Sequence, residues 1–165
     1  MKFRTAQRTR RALTRLVLVM SACVSNAWGT QSPANSANIE LGGQTMTTYN
    51  LHLESNEDDT LRVSQLNEVP LDAGSASKNS ATLIAGDLNL DGAEGEAASA
   101  LERAGSRDGV GLPNVRTRPG RGIFDQGRSI DWIFVSSGLN GRNGRIQRNV
   151  RASDHFPISS EVSFR

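Results

Sequence analysis

The sequence has a single cysteine, Cys23, among 165 residues. No disulfide can therefore form within the chain, which excludes a fold held by a disulfide framework. A long apolar run is also missing, because the stretch LVLVMSACV at residues 16–24 is too short to span a bilayer as a helix. No internal repeat is visible, so a repeat architecture is not predicted.

Acidic residues are missing from the first 15 positions, which carry six of the 19 basic residues. The rest of the chain has 13 basic and 17 acidic residues, a net charge of −4, so the overall charge of +2 comes from the N-terminal segment. The composition, 36% hydrophobic and 22% charged, is that of a soluble globular protein with one domain of ordinary size.

The basic N-terminal segment and its short apolar run are typical of a targeting signal. We predict a signal-peptide-like leader over residues 1–27, cleaved after Ala27, because Ser25 and Ala27 are small residues at the spacing that signal peptidase reads. The stretch TRRALTR from Thr9 also resembles a twin-arginine export signal. The leader predicts an exported protein, either periplasmic or secreted.

Cys23 has two interpretations. In MSAC it resembles the lipobox of bacterial lipoproteins, which predicts a lipid anchor at this residue. Alternatively, it is an apolar filler that is removed with the signal. Both stay open, and no transmembrane helix is predicted in the mature chain.

Small polar residues broken by Pro33 predict a disordered spacer over residues 28–38, followed by a domain over residues 39–165. In that domain, two strands are predicted around Gly42-Gly43, since glycine pairs supply the positive φ of a tight hairpin turn. The stretches ATLIAGD and SIDWIFVS predict buried strands, and FPISSEVSF predicts a final alternating strand.

Helical spacing of apolar residues predicts a helix from about Glu57 to Val69, stopped by Pro70. AEGEAASALERAG at residues 93–105 predicts a second helix, and GLNGRNGR at residues 138–145 predicts a turn.

Four polar groups interrupt or end the otherwise apolar strands. Charged side chains in buried strands cost several kcal/mol unless they are paired or bind a metal, so each group needs a partner. The economical prediction is that all four converge on one site. They are His52, Asp87 with Asn89, Asp131, and Asp154 with His155.

The residue types of these groups predict a chemistry. Asp87 and Asn89 are two apart, so in extended backbone they project from the same face, and their oxygens suit Mg²⁺ or Mn²⁺ better than Zn²⁺. Asp154 adds a second carboxylate for the metal. His155 is a candidate base, and Asp131 a candidate for fixing its tautomer and stabilising its charged form.

Each group also has a simpler interpretation. GDLN alone fits a strand-end turn, and a lone His52 fits a solvated side chain. Asp131 alone fits a charge that guards an edge strand, and SDH alone fits a turn or a cap. The chain lacks a site only if all four simpler interpretations hold together.

The stretches TTYNLHLES, TLIAGDLNLD, SIDWIFVSS and ASDHFPISSEVSF, in this order, resemble the successive C-terminal motifs of the endonuclease/exonuclease/phosphatase superfamily, which has the DNase I-like fold. The similarity runs from about Ile39 to Phe164 and includes an R..Q..EV helix formed by Arg62, Gln65, Glu68 and Val69. It implies an α+β fold, an α/β/β/α sandwich of two sheets packed face to face with helices outside.

The resemblance also implies roles for the site residues in phosphodiester hydrolysis. His52 would contact the scissile phosphate and donate to it, and Asp87 and Asn89 would lie at the phosphate and the nucleophilic water. Asp154 would help to hold the metal, while His155, oriented by Asp131, would assist in-line attack. The implied partner is a phosphoester substrate, with nucleic acid among the candidates.

Four arginines, at positions 116, 118, 121 and 128, lie in a glycine-rich loop that offers further phosphate contacts or is simply solvated. From Arg116 onward the chain has nine basic and four acidic residues, which fits a phosphate-bearing substrate without requiring nucleic acid.

Two residues of the family pattern are missing, namely an Asn at the end of the first strand and a metal-binding Glu. Neither Glu40 nor Glu54 stands in the required context. The resemblance therefore implies a partial domain without its N-terminal half. Two hypotheses follow: a metal-dependent phosphoester hydrolase, truncated or completed by a partner chain, and a catalytically inactive remnant or phosphate-binding module.

Overall fold

The computed structural model describes residues 16–20, 34–55, 59–75, 81–91, 99, 101, 106–111 and 115–165. The elements follow the order β1 (Leu16–Met20), β2 (Ala34–Leu41), β3 (Gln44–His52), α1 (Asp59–Ser75), β4 (Ala81–Asp87), β5 (Ser106–Asp108), β6 (Asp131–Ser136), β7 (Leu139–Ile146) and β8 (Ile158–Phe164). Within this part of the chain, no helix is long and apolar enough to cross a membrane.

A five-stranded mixed sheet has the strand order β2-β3-β4-β6-β5. β2 and β3 form the predicted hairpin, and Gly42 and Gly43 at its turn have φ values of 62° and 78°. β3 and β4 are parallel, and α1 lies in the crossover connection that parallel neighbours require. β6 is antiparallel to both β4 and β5.

A second sheet has three antiparallel strands in the order β1-β8-β7. The prediction of a turn over residues 138–145 is wrong, because these residues belong largely to β7. The glycines of β7 allow close packing. A Cβ added at Gly141 would lie 2.2 Å from the Gly109 carbonyl oxygen, and one added at Gly144 would lie 2.0 Å from the Val110 carbonyl oxygen. Glycine permits this approach of two backbones within a strand.

Two apolar cores cover the two faces of the five-stranded sheet. Alternation along the strands separates them, since successive side chains point to opposite faces. The core between the two sheets contains Leu83 of β4, with Ile133 and Val162. The core on the helix side contains Ile84, the next residue of β4, with Leu66 of α1. The architecture is thus a two-sheet sandwich with a helix outside.

α1 continues past Pro70 to Ser75, so the prediction that Pro70 ends the helix is wrong. A proline removes one hydrogen bond of a helix, but the loss can be absorbed as a local irregularity rather than a stop. The second predicted helix lies largely outside the described residues, although positions 99 and 101 within it are helical.

β1 lies within the predicted leader, and β2 begins within the predicted spacer. Disorder is therefore a wrong prediction for residues 34–38, which pair with β3 along their whole length. Polar composition suggested a spacer, but here polar side chains reinforce the pairing, since the Thr47 hydroxyl donates to Asn38 Oδ1 at 2.9 Å. Residues 34–38 of the predicted spacer therefore belong to β2.

The apolar run at residues 16–20 forms an edge strand that pairs residue by residue with β8, from Leu16 opposite Val162 to Met20 opposite Ile158. Such a run fits an apolar strand as well as the core of a signal peptide. Ala27 and Cys23 lie outside the described residues. Cleavage after Ala27 and a lipid anchor at Cys23 stay predictions.

Candidate active site

Three of the predicted site residues form a row across neighbouring strands. In the register of the sheet, His52 at the end of β3 lies opposite Asp87 at the end of β4, and Asp87 lies opposite Asp131 at the start of β6. By strand alternation, they share the sheet face that carries the core between the sheets. Strand pairing alone therefore brings two carboxylates and an imidazole together at one edge of the sandwich.

The second sheet supplies His155 from the loop that precedes β8. Its Nδ1 lies 2.9 Å from Asp131 Oδ2, and only 8% of each of these side chains is exposed. The backbone is held at His155 and at the next residue: His155 N donates to Ser153 Oγ at 3.1 Å, and Phe156 N donates to the Thr117 carbonyl at 2.7 Å. The imidazole is thus fixed against the carboxylate by its own backbone.

The hydrogen bond with Asp131 raises the pKa of His155 above its usual 6.5, although burial acts in the opposite direction. The negative charges of Asp131, Asp87 and Asp154 raise this pKa further. Because an ionised carboxylate only accepts hydrogen bonds, Nδ1 carries the proton in this pair. Nε2 of the neutral imidazole is then left as the acceptor.

Asp87 lies between the two histidines. Its Oδ2 is 3.9 Å from His155 Nδ1 and 3.9 Å from His52 Nε2, and its Oδ1 accepts a hydrogen bond from Asn89 N at 2.9 Å. Burial raises the pKa of Asp87 above its ordinary value of 3.8, and the Asp131 carboxylate raises it further, while the Asn89 hydrogen bond lowers it. A cation that binds next to such a carboxylate stabilises its ionised form.

Asn89 reaches the site differently from the sequence prediction. β4 ends at Asp87, and Asn89 has a left-handed backbone with φ of 50°, so the two side chains do not project from one face of an extended strand. Its Nδ2 donates to the Leu53 carbonyl at 3.0 Å, which ties the turn after β4 to the end of β3. Asn tolerates this backbone conformation better than most residues.

Asp154 is paired with an arginine rather than with another residue of the predicted site. Its Oδ2 accepts a hydrogen bond from Arg121 Nη2 at 2.7 Å, and 45% of its side chain is exposed. The group with metal-ligand geometry consists instead of Asp87, Asp131 and His155, whose ligand atoms all lie within 4.8 Å of one another. The predicted metal role of Asp154 stays a prediction.

Two of the three residues in this group offer the oxygen ligands that Mg²⁺ or Mn²⁺ requires. Asp87 and Asp131 offer carboxylate oxygens, which hard divalent ions prefer, and the raised pKa of Asp87 indicates that its buried charge needs compensation. His155 suits such an ion less well, and its Nδ1 is already hydrogen-bonded to Asp131. The two carboxylates therefore fit a hard divalent cation.

Two residues of the R..Q..EV motif support the site from α1. Arg62 Nη1 donates to the Glu54 carbonyl at 3.0 Å, and Glu54 N donates to Gln65 Oε1 at 3.0 Å. Glu54 follows His52 by two residues, so these bonds fix the chain where β3 leaves the site. Arg62 is 6% exposed, and its hydrogen bond to the Glu54 carbonyl explains how a cation is accommodated in an otherwise apolar helix face.

Thr117 is a supporting residue that sequence reasoning missed. It is 3% exposed, and its Oγ1 accepts hydrogen bonds from Ile130 N and Asp131 N, each at 3.1 Å. Asp91 is a second one, because its Oδ1 accepts from Ser129 N at 2.9 Å and its Oδ2 lies 3.7 Å from Arg128 Nε. A threonine within a Gly/Arg/Pro-rich stretch gives no signal of this role, whereas Asp91 lies within the quoted GDLNLD motif.

The sequence matches the Endonuclease/Exonuclease/phosphatase family over residues 8–155. Among curated proteins, none matches the chain. The match to the family begins inside the predicted leader, in agreement with the place of β1 in the second sheet.

The solved structures that are similar to this one include the following three. An endonuclease/exonuclease/phosphatase family protein from Bacteroides thetaiotaomicron is 22% identical with a TM-score of 0.61, covering 80% of this chain and 56% of its own. TDP2 of D. rerio, complexed with a single-stranded DNA product, is 20% identical with a TM-score of 0.60, covering 91% and 69%. A Staphylococcus aureus beta toxin mutant with bound magnesium ions is 18% identical with a TM-score of 0.56, covering 76% and 56%.

These similarities establish the fold, which is the expected DNase I-like α+β sandwich, and the chain spans little more than half the length of the Bacteroides protein. The family match extends over most of the chain and includes all the strands that carry His52, Asp87 and Asp131. The chain therefore belongs to the endonuclease/exonuclease/phosphatase family.

Proposed function

We propose that this protein is a metal-dependent phosphoester hydrolase of the phosphodiesterase or nuclease type. The observation that supports this most directly is the contact of 2.9 Å between His155 Nδ1 and Asp131 Oδ2, with Asp87 Oδ2 at 3.9 Å from the same nitrogen. A buried imidazole paired with one carboxylate and next to another is arranged for proton transfer rather than for stability alone.

His155 acts as the general base in this proposal. Asp131 holds the proton on Nδ1, so Nε2 accepts a proton from the attacking water, and the same carboxylate then stabilises the imidazolium. The raised pKa of His155 keeps the charged form accessible after the proton has moved. Asp87 and Asn89 orient the water and the phosphate, and His52, with 54% of its side chain exposed, donates to a phosphate oxygen.

Asp87 and Asp131 are the residues that would hold Mg²⁺ or Mn²⁺. Asp154, the metal ligand predicted from the sequence, would join them only by leaving its partner Arg121. Such an ion supplies Lewis-acid stabilisation of the charge that develops on the phosphoryl oxygens. Magnesium in the beta toxin structure supports this assignment by analogy of fold. The family's metal-binding Glu is not found in this sequence, so we expect metal affinity to be weak.

The proposed substrate is a phosphodiester, with nucleic acid as one candidate, because a relative of this fold carries a single-stranded DNA product. We also propose that the protein is exported to the periplasm or secreted, as the basic and apolar N-terminal segment predicts. A lipid anchor at Cys23 belongs to the same proposal. A chain that spans 56% of the Bacteroides protein fits a truncated product or one completed by a partner.

Hydrolysis assays with purified protein test the proposal. DNA, a dinucleotide and a phosphomonoester are each incubated with Mg²⁺ and with Mn²⁺, and the combined variant Asp87→Ala/His155→Ala serves as the background control. We expect hydrolysis of at least one phosphodiester above this control and its loss on addition of EDTA. Equal rates for wild type and control on all three substrates would refute the hydrolase.

The alternative is a catalytically inactive remnant or phosphate-binding module. It is favoured by the absence of the family's Asn and Glu motifs, which leaves the phosphate-contacting residues without part of the catalytic set. This alternative predicts binding of phosphate esters without turnover under the same conditions.

A further inference from the structure

The candidate site has an excess of negative charge toward a phosphate ester. Asp87, Asp131 and Asp154 all lie at or beside His155, and the Coulomb influence of all three acts on the imidazole. A phosphate bears at least one negative charge and is repelled by such a group unless cations face it, either a metal ion or side chains of the protein. A cationic side chain of the protein beside His155 would supply part of the charge that a phosphate needs.

The loop from Val115 to Arg128 contains four arginines, and three of them have structural partners within this loop or next to it. Arg118 pairs with Asp125 at 3.0 Å, and Arg128 donates to the Asn89 carbonyl at 3.2 Å. Arg116 donates to Gln126 Oε1 at 3.2 Å. These three side chains hold the loop to itself and to the turn after β4.

Arg121 differs from them in both position and exposure. Its Nη2 donates to Asp154 Oδ2 at 2.7 Å, next to His155 in the chain, and 69% of its side chain is exposed. A guanidinium has five N–H donors in one plane, and Asp154 occupies one edge of it. The rest of the group faces solvent at the side of the site where Asp154 lies.

The backbone beneath Arg121 is fixed rather than free. Asp125 Oδ2 accepts a hydrogen bond from Arg121 N at 3.2 Å, and Asp125 Oδ1 accepts one from Gly127 N at 3.0 Å. A Cβ at Gly120 would lie 1.8 Å from the Asp125 carbonyl oxygen, so the loop closes tightly at this residue. An arginine on a closed loop, anchored by a carboxylate, loses little freedom when an anion binds.

We infer that Arg121 is a phosphate-binding residue of the site, with Asp154 as the positioning residue that holds its guanidinium beside His155. The ligand is the phosphate of an ester or a free inorganic phosphate, gripped through the planar N–H donors of Arg121. The inference rests on the proposed function for its meaning in catalysis, but phosphate binding itself does not require turnover.

The test measures binding of inorganic phosphate to the full chain by isothermal titration calorimetry, with and without Mg²⁺. Arg121→Gln should weaken phosphate binding about tenfold, as loss of one charge-assisted contact does. Arg121→Lys keeps the charge but not the fork, so a loss of about threefold is expected. Arg145→Gln, which removes an exposed arginine of β7, is the matched control and should leave affinity within twofold of wild type, where twofold is on the order of experimental error.

Circular dichroism melts serve as the control for folding. We expect every variant to be folded, because substitutions of exposed side chains change stability little. Absence of phosphate binding by the wild type, or equal affinity of Arg121→Gln and wild type, would overturn the inference. So would a loss in Arg145→Gln as large as that in Arg121→Gln. The two proposals fail separately: a wild type that hydrolyses nothing but binds phosphate through Arg121 refutes only the hydrolase. If Arg121→Gln hydrolyses the substrate and its KM and phosphate affinity equal those of the wild type, only this inference is refuted.

Discussion

Thr117 offers a sharp test of how the site is supported, because one buried hydroxyl serves two backbone donors. Its Oγ1 accepts from Ile130 N and Asp131 N at 3.1 Å each, and the residue is 3% exposed. Thr117→Val keeps the shape of the side chain and removes the acceptor. Each buried N–H left without a partner costs about 1–3 kcal/mol, so the free energy of unfolding should fall by about 2–6 kcal/mol.

Thr117→Ser is the matched control, since it keeps the hydroxyl and removes one methyl group. Loss of one buried methyl costs about 1 kcal/mol, so this variant should be clearly more stable than Thr117→Val. Urea unfolding followed by circular dichroism measures both variants. A loss in Thr117→Val no larger than the loss in Thr117→Ser would refute the hydrogen-bonding role of the residue.

Three further predictions concern the sheet, the imidazole and the loop. Gly86→Ala should lower the free energy of unfolding by about 3 kcal/mol or more, since φ is +144° and the new Cβ would lie 1.9 Å from the Leu51 carbonyl oxygen. The control Gly43→Ala meets no atom within 4 Å and should cost only about 1 kcal/mol. Thermal melts compare the two variants, and equal losses would contradict the close packing at Gly86. Asp131→Asn should lower the pKa of His155, which NMR can measure in a His52→Asn background. Because the pKa of His155 is raised in the folded protein, its protonation stabilises the fold fully below pH 6.5, and this stabilisation is lost as the pH rises through the folded value. An unchanged titration of His155 in Asp131→Asn would contradict this prediction. Ile123→Ser/Phe124→Ser should change the free energy of unfolding by less than about 0.5 kcal/mol, since these side chains are 91% and 98% exposed; a larger loss in urea unfolding would show that they pack in solution.

The sequence alone was sufficient to predict the strands that carry the site residues. Alternation and apolar runs located β3, β4, β6 and β8, and the polar residues at their ends, His52, Asp87 and Asp131, lie together because strand register aligns them. Burial of a charged group inside an apolar strand is expensive, so such residues mark a site in the sequence itself. This physical signal does not depend on knowledge of the fold.

Other features could not be read in the same way, since they depend on contacts between distant segments. The glycines of β7 suggest a turn until the backbone of Gly109 and Val110 is seen against them. The run at residues 16–20 has the same composition as a signal peptide core, and only its pairing with β8 distinguishes a strand. The contact between Asp154 and Arg121 crosses 33 residues of chain, a separation that local sequence patterns do not encode.

The central claim is that Asp131 acts through His155 to hydrolyse a phosphodiester. The most direct measurement is a double-mutant cycle on the Mg²⁺-dependent hydrolysis of bis(4-nitrophenyl) phosphate by the wild type, Asp131→Asn, His155→Ala and the combined variant. If Asp131 works by orienting and charging the imidazole, Asp131→Asn should reduce kcat/KM about 10²–10⁴-fold. At saturating Mg²⁺, where the loss of one metal ligand does not limit the rate, the combined variant should then be no slower than His155→Ala alone. Losses that multiply in the combined variant, or a wild type no faster than His155→Ala, would contradict the account.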